Sequence, residues 1–113
     1  MDQLTEYRTL IKRLLNDHAD LMNRSSAGDW EAQTIFDETH DRYMVFRAGW
    51  RDKERIHTPT LYVRLHNGKF WIEEDWTEDG IATELLAAGV PHQNIVLAFR
   101  HPEIRPLTEF AVS

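Results

Sequence analysis

Five carboxylates crowd one short stretch of this sequence: Glu73, Glu74, Asp75, Glu78 and Asp79, within FWIEEDWTEDGIATELLAAGVP at 70–91. Acids at such spacing suit three kinds of work: holding a divalent cation, sharing a proton in acid–base catalysis, or satisfying free amides at a helix start. A calcium loop opening at Asp75 would use Asp75, Thr77 and Asp79 as alternate ligands, with Gly80 at the sharp turn. Such a loop closes with a bidentate Glu at its twelfth position, and Leu86 stands there instead. Capping is the stronger reading. Thr77 is expected as the N-cap, its hydroxyl accepting from a first-turn amide while Glu78 and Asp79 oppose the positive end of the helix dipole.

The other reactive groups form no familiar constellation. The six histidines, His18, His40, His57, His66, His92 and His101, include no pair at zinc-site spacing, and no cysteine is present to complete one. There is no nucleophile elbow, phosphate-binding glycine loop, dinucleotide fingerprint or metal-nuclease spacing of Asp with Glu-x-Lys. Neither catalysis nor a metal or cofactor is expected. His18 falls on an apolar helical stripe and reads as a hydrogen-bonded core or edge residue rather than a ligand. Four tryptophans are many for this length. Trp50 reads as core, whereas Trp71 and Trp76 flank the acidic turn, where aromatics beside charges suit a partner surface as well as a sheet cover. Trp71, Asp75, Trp76, Glu78, Asp79 and, in the C-terminal tail, Phe110 are therefore the candidate partner contacts.

Composition narrows the partner. With a net charge of −6 and a pI near 5.4 there is no basic stripe to neutralise phosphates. Direct nucleic-acid contact is not expected unless Arg42, Arg47, Arg51, Lys53 and Arg55 converge in space. A chain of 113 residues with 42% apolar content fits one domain over 1–113, burying roughly two-thirds of its unfolded surface. The opening MDQLTEYRTL lacks a signal-peptide core, no apolar run approaches the roughly twenty residues of a membrane span, and the lack of cysteine suits a reducing compartment. A cytoplasmic protein is expected.

An α+β framework must position these residues. Leu4, Tyr7, Ile11, Leu14, His18 and Leu21 recur at helical spacing, predicting an amphipathic helix over 3–23 capped by Asp2 and ended near SSAGD at 25–29. Strands are expected over 33–37, 42–50 and 55–66, joined by polar turns at 38–41 and 51–54. In the second, Met44, Phe46, Ala48 and Trp50 share one face, and Tyr43, Val45 and Arg47 the other. Pro59 cannot donate to a ladder, so residues before Thr60 should lie at an edge, at a bulge or beyond the sheet. Asn67-Gly68 predicts a two-residue type I′ hairpin pairing His66 with Lys69, Leu65 with Phe70, Arg64 with Trp71, Val63 with Ile72 and Tyr62 with Glu73. That register gives an apolar face and lets Arg64 stack on Trp71 across the other.

Beyond the hairpin, Ile81, Leu85 and Ala88 mark a second helix closed by Gly89, Val90 and Pro91. IVLAF at 95–99 reads as a central or well-covered strand, parallel to the 69–74 strand if the crossover is right-handed. The tail HPEIRPLTEFAVS is expected to dock, on its own core in preference to another subunit. The architecture is thus an N-terminal helix, a mostly antiparallel sheet of about five strands, and a second helix between the last two strands.

Four stretches taken together resemble one known family: EYRTLIKRLL, IFDETHDRYMVFRAGW, WIEEDWTEDGIATELLAAGVP and IVLAFRHPEIRPLTEFAVS. Their combination and order are similar to the XisI proteins, fdxN-element excision controlling factors found mainly in cyanobacteria. The likeness covers nearly the whole chain; the ETHDR turn at 38–42 departs from the usual order in what reads as a surface loop. The resemblance implies a small regulatory protein that helps control programmed, site-specific excision of a DNA element. It further implies action through a XisH-like partner, with the recombinase a different protein. Alternatives are a direct DNA-binding accessory factor, or a subunit of a nuclease completed by its partner. A homodimer sealed by an exposed sheet edge or by the tail is also compatible with the sequence.

Overall fold

The computed structural model describes residues 2–26 and 28–113. Helix α1 runs Gln3–Ser25, and the Asp2 carboxylate accepts from the Thr5 amide at 2.7 Å, as a capping residue should. Its buried side is Tyr7, Ile11, Leu14, Leu15 and Ala19, whereas Leu4 and Leu21 of the expected stripe are 41% and 55% exposed. The geometry of a straight helix accounts for this. At about 100° per residue, Leu4 and Leu21 end up about 100° apart around the axis, so one sheet surface cannot cover both.

Five strands form one sheet in the order β1 (Asp29–Asp37), β2 (Arg42–Arg51), β3 (Glu54–His66), β4 (Lys69–Asp75) and β5 (Ile95–Leu97). The first four pair antiparallel and β5 runs parallel to β4, with α2 (Ile81–Ala87) in the crossover. Both helices contribute to one core, in which Ile11, Leu15, Tyr43, Val45, Leu61, Val63, Phe70, Ile72, Ile81 and Leu85 are fully buried. Strand β1 begins four residues before the expected start, its Trp30 and Ala32 facing inward and Asp29 and Glu31 outward. The turn-like SSAGD hides that start. In β2 the core face is that of Tyr43 and Val45. Trp50, expected in the core, lies on the opposite face, 49% exposed with the Arg55 guanidinium 5.4 Å from its ring centroid.

The Asn67-Gly68 turn has positive φ at both residues, 52° and 74°, as a type I′ hairpin requires. Four pairs follow in the expected register, but Tyr62 pairs with Glu74 rather than Glu73 because the ladder shifts between Tyr62 and Val63. Pro59 is accommodated by a second irregularity: Val45 pairs with Leu61 and Phe46 with Pro59, leaving Thr60 as the extra residue of a bulge. Strand β5 is short and at the sheet's margin, not central. It is nevertheless covered, because the tail docks along it, with the Ala111 amide donating to the Ile95 carbonyl at 2.9 Å. Arg105 ties the tail down by donating to the carbonyls of Ala98, Arg100 and Val112.

The ETHDR loop does more than cover surface. Glu38, Thr39 and His40 are exposed, but Asp41, at a φ of 53°, joins three elements. Its carboxylate accepts from Arg8 Nε and Nη2 of α1 at 2.7 and 3.0 Å and from the Tyr43 hydroxyl at 2.9 Å, while its carbonyl accepts from the Leu65 amide. The Arg8 hydrogen bonds, reinforced by Tyr43, hold the Asp41 carboxyl below the usual carboxylate range, and burial beside that carboxylate pushes the Tyr43 hydroxyl up. A depressed acid stabilises the fold fully above its unfolded pKa of about 3.9, and the contribution disappears as pH falls through the lower folded value. Asp41→Asn keeps the shape and tolerates the positive φ, so it isolates the charge. At pH 7 it should cost about 2 kcal/mol in denaturant unfolding. The gap from the parent protein should begin to narrow below about pH 3.9 and close only once the pH has fallen through the lower folded value, where the parent carboxyl is itself protonated.

Candidate partner-contact surface

Between β4 and α2 the acidic turn is organised by one carboxylate. Asp75 Oδ1 accepts from the Thr77 amide and hydroxyl at 2.9 and 2.6 Å, and Oδ2 accepts from the Ile81 amide at 2.7 Å. The helix starts at Ile81, not near Thr77. Its N-cap is Gly80, which offers no side chain, and Asp75 reaches the first-turn amide from six residues away. Thr77 is therefore held by the cap rather than acting as one, and Glu78 and Asp79 stay outside the helix. The exit is as expected: Gly89 at a φ of 97° lets the Val90 amide reach the Leu85 carbonyl and the Gly89 amide the Leu86 carbonyl, both at 3.0 Å. Val90 folds back to 4% exposure; Ala88, now the C-cap, is exposed.

The six candidate contacts separate into two groups. Trp71 is half-buried on β4, its indole donating to the His66 carbonyl and its ring flanked by the guanidinium groups of Arg64 and Arg105 at 5.6 and 5.7 Å. It secures the tail to the sheet. Asp75 organises the turn, and Phe110 packs against His92 and the core. Trp76, Glu78 and Asp79 remain at the surface. Trp76 is 74% exposed yet held in place, its amide donating to the Thr60 carbonyl and its indole to Glu74. Of the remaining acids in the cluster, Glu73 pairs with Arg64 at 2.9 Å.

Glu78 and Asp79 border a groove of about 570 Å³ between the second half of α1 and the start of α2, lined by His18, Leu21, Met22, Thr77, Glu78, Asp79, Gly80, Thr83 and Glu84. His18 Nε2 bridges to the Glu84 carboxylate across it. The edge role expected for His18 holds, but the groove was not legible in the sequence. Its signal was Leu21, an apolar residue too far around α1 to reach the sheet. The lining combines an apolar strip with acids, a setting suited to a cationic, amphipathic segment of a partner. Among the described residues no cluster of three or more His, Cys, Asp or Glu side chains is arranged to hold a metal ion. No helix among them is long and apolar enough to cross a membrane.

The five basic residues do not converge. Arg42 and Arg51 stand at opposite ends of β2, about 30 Å apart. Arg47 lies over the Trp30 ring and Arg55 over Trp50.

A family model described as XisI protein matches residues 1–112. No curated protein matches the chain. Among solved structures, the fdxN element excision controlling factor XisI from Anabaena variabilis ATCC 29413 is 42% identical, with a TM-score of 0.86 over 99% of this chain and 100% of the other. A XisI-like protein from the same organism is 32% identical, with a TM-score of 0.89 over 97% and 99% of the two chains.

The split between internal and exposed groups of this turn can be measured. Asp75→Ala removes the acceptor for the Ile81 amide and should lower stability by about 1–2 kcal/mol, whereas Trp76→Ala should stay within about 0.5 kcal/mol of the parent. Parallel urea titrations give both numbers; equal losses would mean that Trp76 is part of the fold rather than of a surface.

Proposed function

This chain belongs to the XisI family, and on that premise we propose that it is a non-enzymatic accessory protein in programmed, site-specific excision of a DNA element, acting through a XisH-like protein. The relative at 42% identity carries the name of an excision controlling factor, and its fold extends over this whole chain. The single observation that favours action by protein contact is Trp76, an indole 74% exposed on the same turn as Glu78 and Asp79 and one residue before the groove lining begins at Thr77. An aromatic already fixed by two hydrogen bonds loses little freedom on docking, which is what makes such residues effective anchors. The acidic rim and the charge of −6 repel phosphates, so the partner, not this chain, touches the nucleic acid. A role in handling chromosomal DNA places the protein in the cytoplasm.

In this reading a cationic, partly apolar segment of the XisH-like protein lies in the groove, its positive groups against Glu78 and Asp79 and its apolar groups against Leu21 and Met22. Co-expression followed by light scattering during size exclusion should yield a mixed complex of defined mass. Trp76→Ala combined with Glu78→Gln should weaken that complex by at least about tenfold without unfolding either protein. Undiminished affinity would reject the groove as the contact, and the absence of any mixed species would reject the partner.

A further inference from the structure

The sheet face turned away from the helices carries a pattern of its own. Strand β4 ends at Asp75, opposite Leu61, so the part of the sheet beyond it is only three strands wide, with β2 in the middle. The pairings set its rows: Asp29, Trp50 and Arg55; Glu31, Ala48 and His57; and Gln33, Phe46 and Pro59, continued by Ile35, Met44 and Tyr62 where β4 joins at Glu74. The middle strand thus presents Met44, Phe46, Ala48 and Trp50. One flank is acidic through Asp29 and Glu31, the other basic through Arg55 and His57. Trp50 and Ile35 are 49% and 50% exposed.

We propose that this face binds a second copy of the chain about a two-fold axis running along β2. Rotation about that axis keeps every row at its height and exchanges the flanks. β2 then meets β2, Asp29 meets Arg55 of the second copy and Glu31 meets His57, each pair occurring twice. An unrelated partner would need only the apolar strip. Acids and bases at matching heights on opposite sides of one patch are what a self-complementary contact needs. An axis across the strands would set acidic flank on acidic flank.

Pairing through the free edge of β1 fits less well. Antiparallel β1 strands centred on Gln33 would oppose Asp29 to Asp37, and Asn23 already takes the outer hydrogen bonds of Ala32, accepting from its amide at 2.7 Å and donating to its carbonyl at 3.0 Å. Three strands by eight residues cover on the order of 400 Å². That footprint is below the roughly 800 Å² per partner of a standard interface, so the dimer is weak and reversible.

The test uses the chain alone and is independent of any XisH-like partner. Sedimentation equilibrium across micromolar to millimolar concentrations should show the mass rise from 13.3 kDa toward twice that value. Phe46→Glu should abolish the rise. Asp29→Lys and Arg55→Glu, folded by circular dichroism, should each weaken self-association at least tenfold, and an equimolar mixture of the two should recover it, because the reversed charges then face each other. A strictly monomeric chain, a dimer indifferent to Phe46→Glu, or a mixture no stronger than either variant alone would overturn the proposal. If Phe46→Glu does not fold, the charge-reversed pair decides the matter.

Discussion

One carboxylate governs how the helix meets the sheet. Asp41 sits where the chain turns from β1 into β2, in a backbone conformation that few residues adopt, and receives Arg8 from α1, the Tyr43 hydroxyl from β2 and, through its carbonyl, the Leu65 amide from β3. The other end of α1 is held by Asn23, whose side-chain amide bonds Ala32 as a neighbouring strand would. Between these points the helix has no freedom to roll, and the burial of Ile11 and Leu15 follows. His18 then faces Glu84 and Leu21 overhangs the groove. The shape of the candidate contact surface is in this sense set by a turn that is not part of its lining.

The acidic stretch shows how one composition divides between architecture and exposure. Asp75 is spent on the turn and Glu73 on Arg64, while Glu74 steadies the Trp76 indole. Among the described residues only Glu78 and Asp79 of the five have no such duties, and they are the two that border the groove. A cluster that invites a metal-site reading by its spacing is thus largely consumed in holding a loop and presenting one tryptophan.

Much of this was legible because some local conformations admit few residues. Asn67-Gly68 declared its turn and with it four strand pairs; Gly89 with Val90 declared the helix exit; Asp2 declared the start of α1. Failures arose where two outcomes leave the same local pattern. Both faces of β2 are apolar, so alternation could not say whether Val45 or Trp50 points to the core. A bulge such as the one at Thr60 or beside Tyr62 leaves no mark on hydrophobic spacing. Asp75 caps Ile81 across six residues, a reach that depends on the path of the intervening chain, and the groove exists only once two helices share one face. Of the six candidate contacts, Trp76, Glu78 and Asp79 lie exposed, whereas the internal work of Trp71, Asp75 and Phe110 depends on neighbours that sequence spacing does not bring together.

The pairing of α1 with late parts of the chain has a kinetic side. The hairpins of the meander close over short loops, but the Tyr7 hydroxyl waits for Asn94, 87 residues on, and His18 for Glu84, 66 residues on. Helix α1 is therefore anchored to the first hairpin through Arg8 and Asn23 well before its last contacts can form. Until the strands emerge, its apolar stripe has nothing native to lie against, so yield in the cell depends on how quickly β1 to β3 assemble and on what shields that stripe meanwhile.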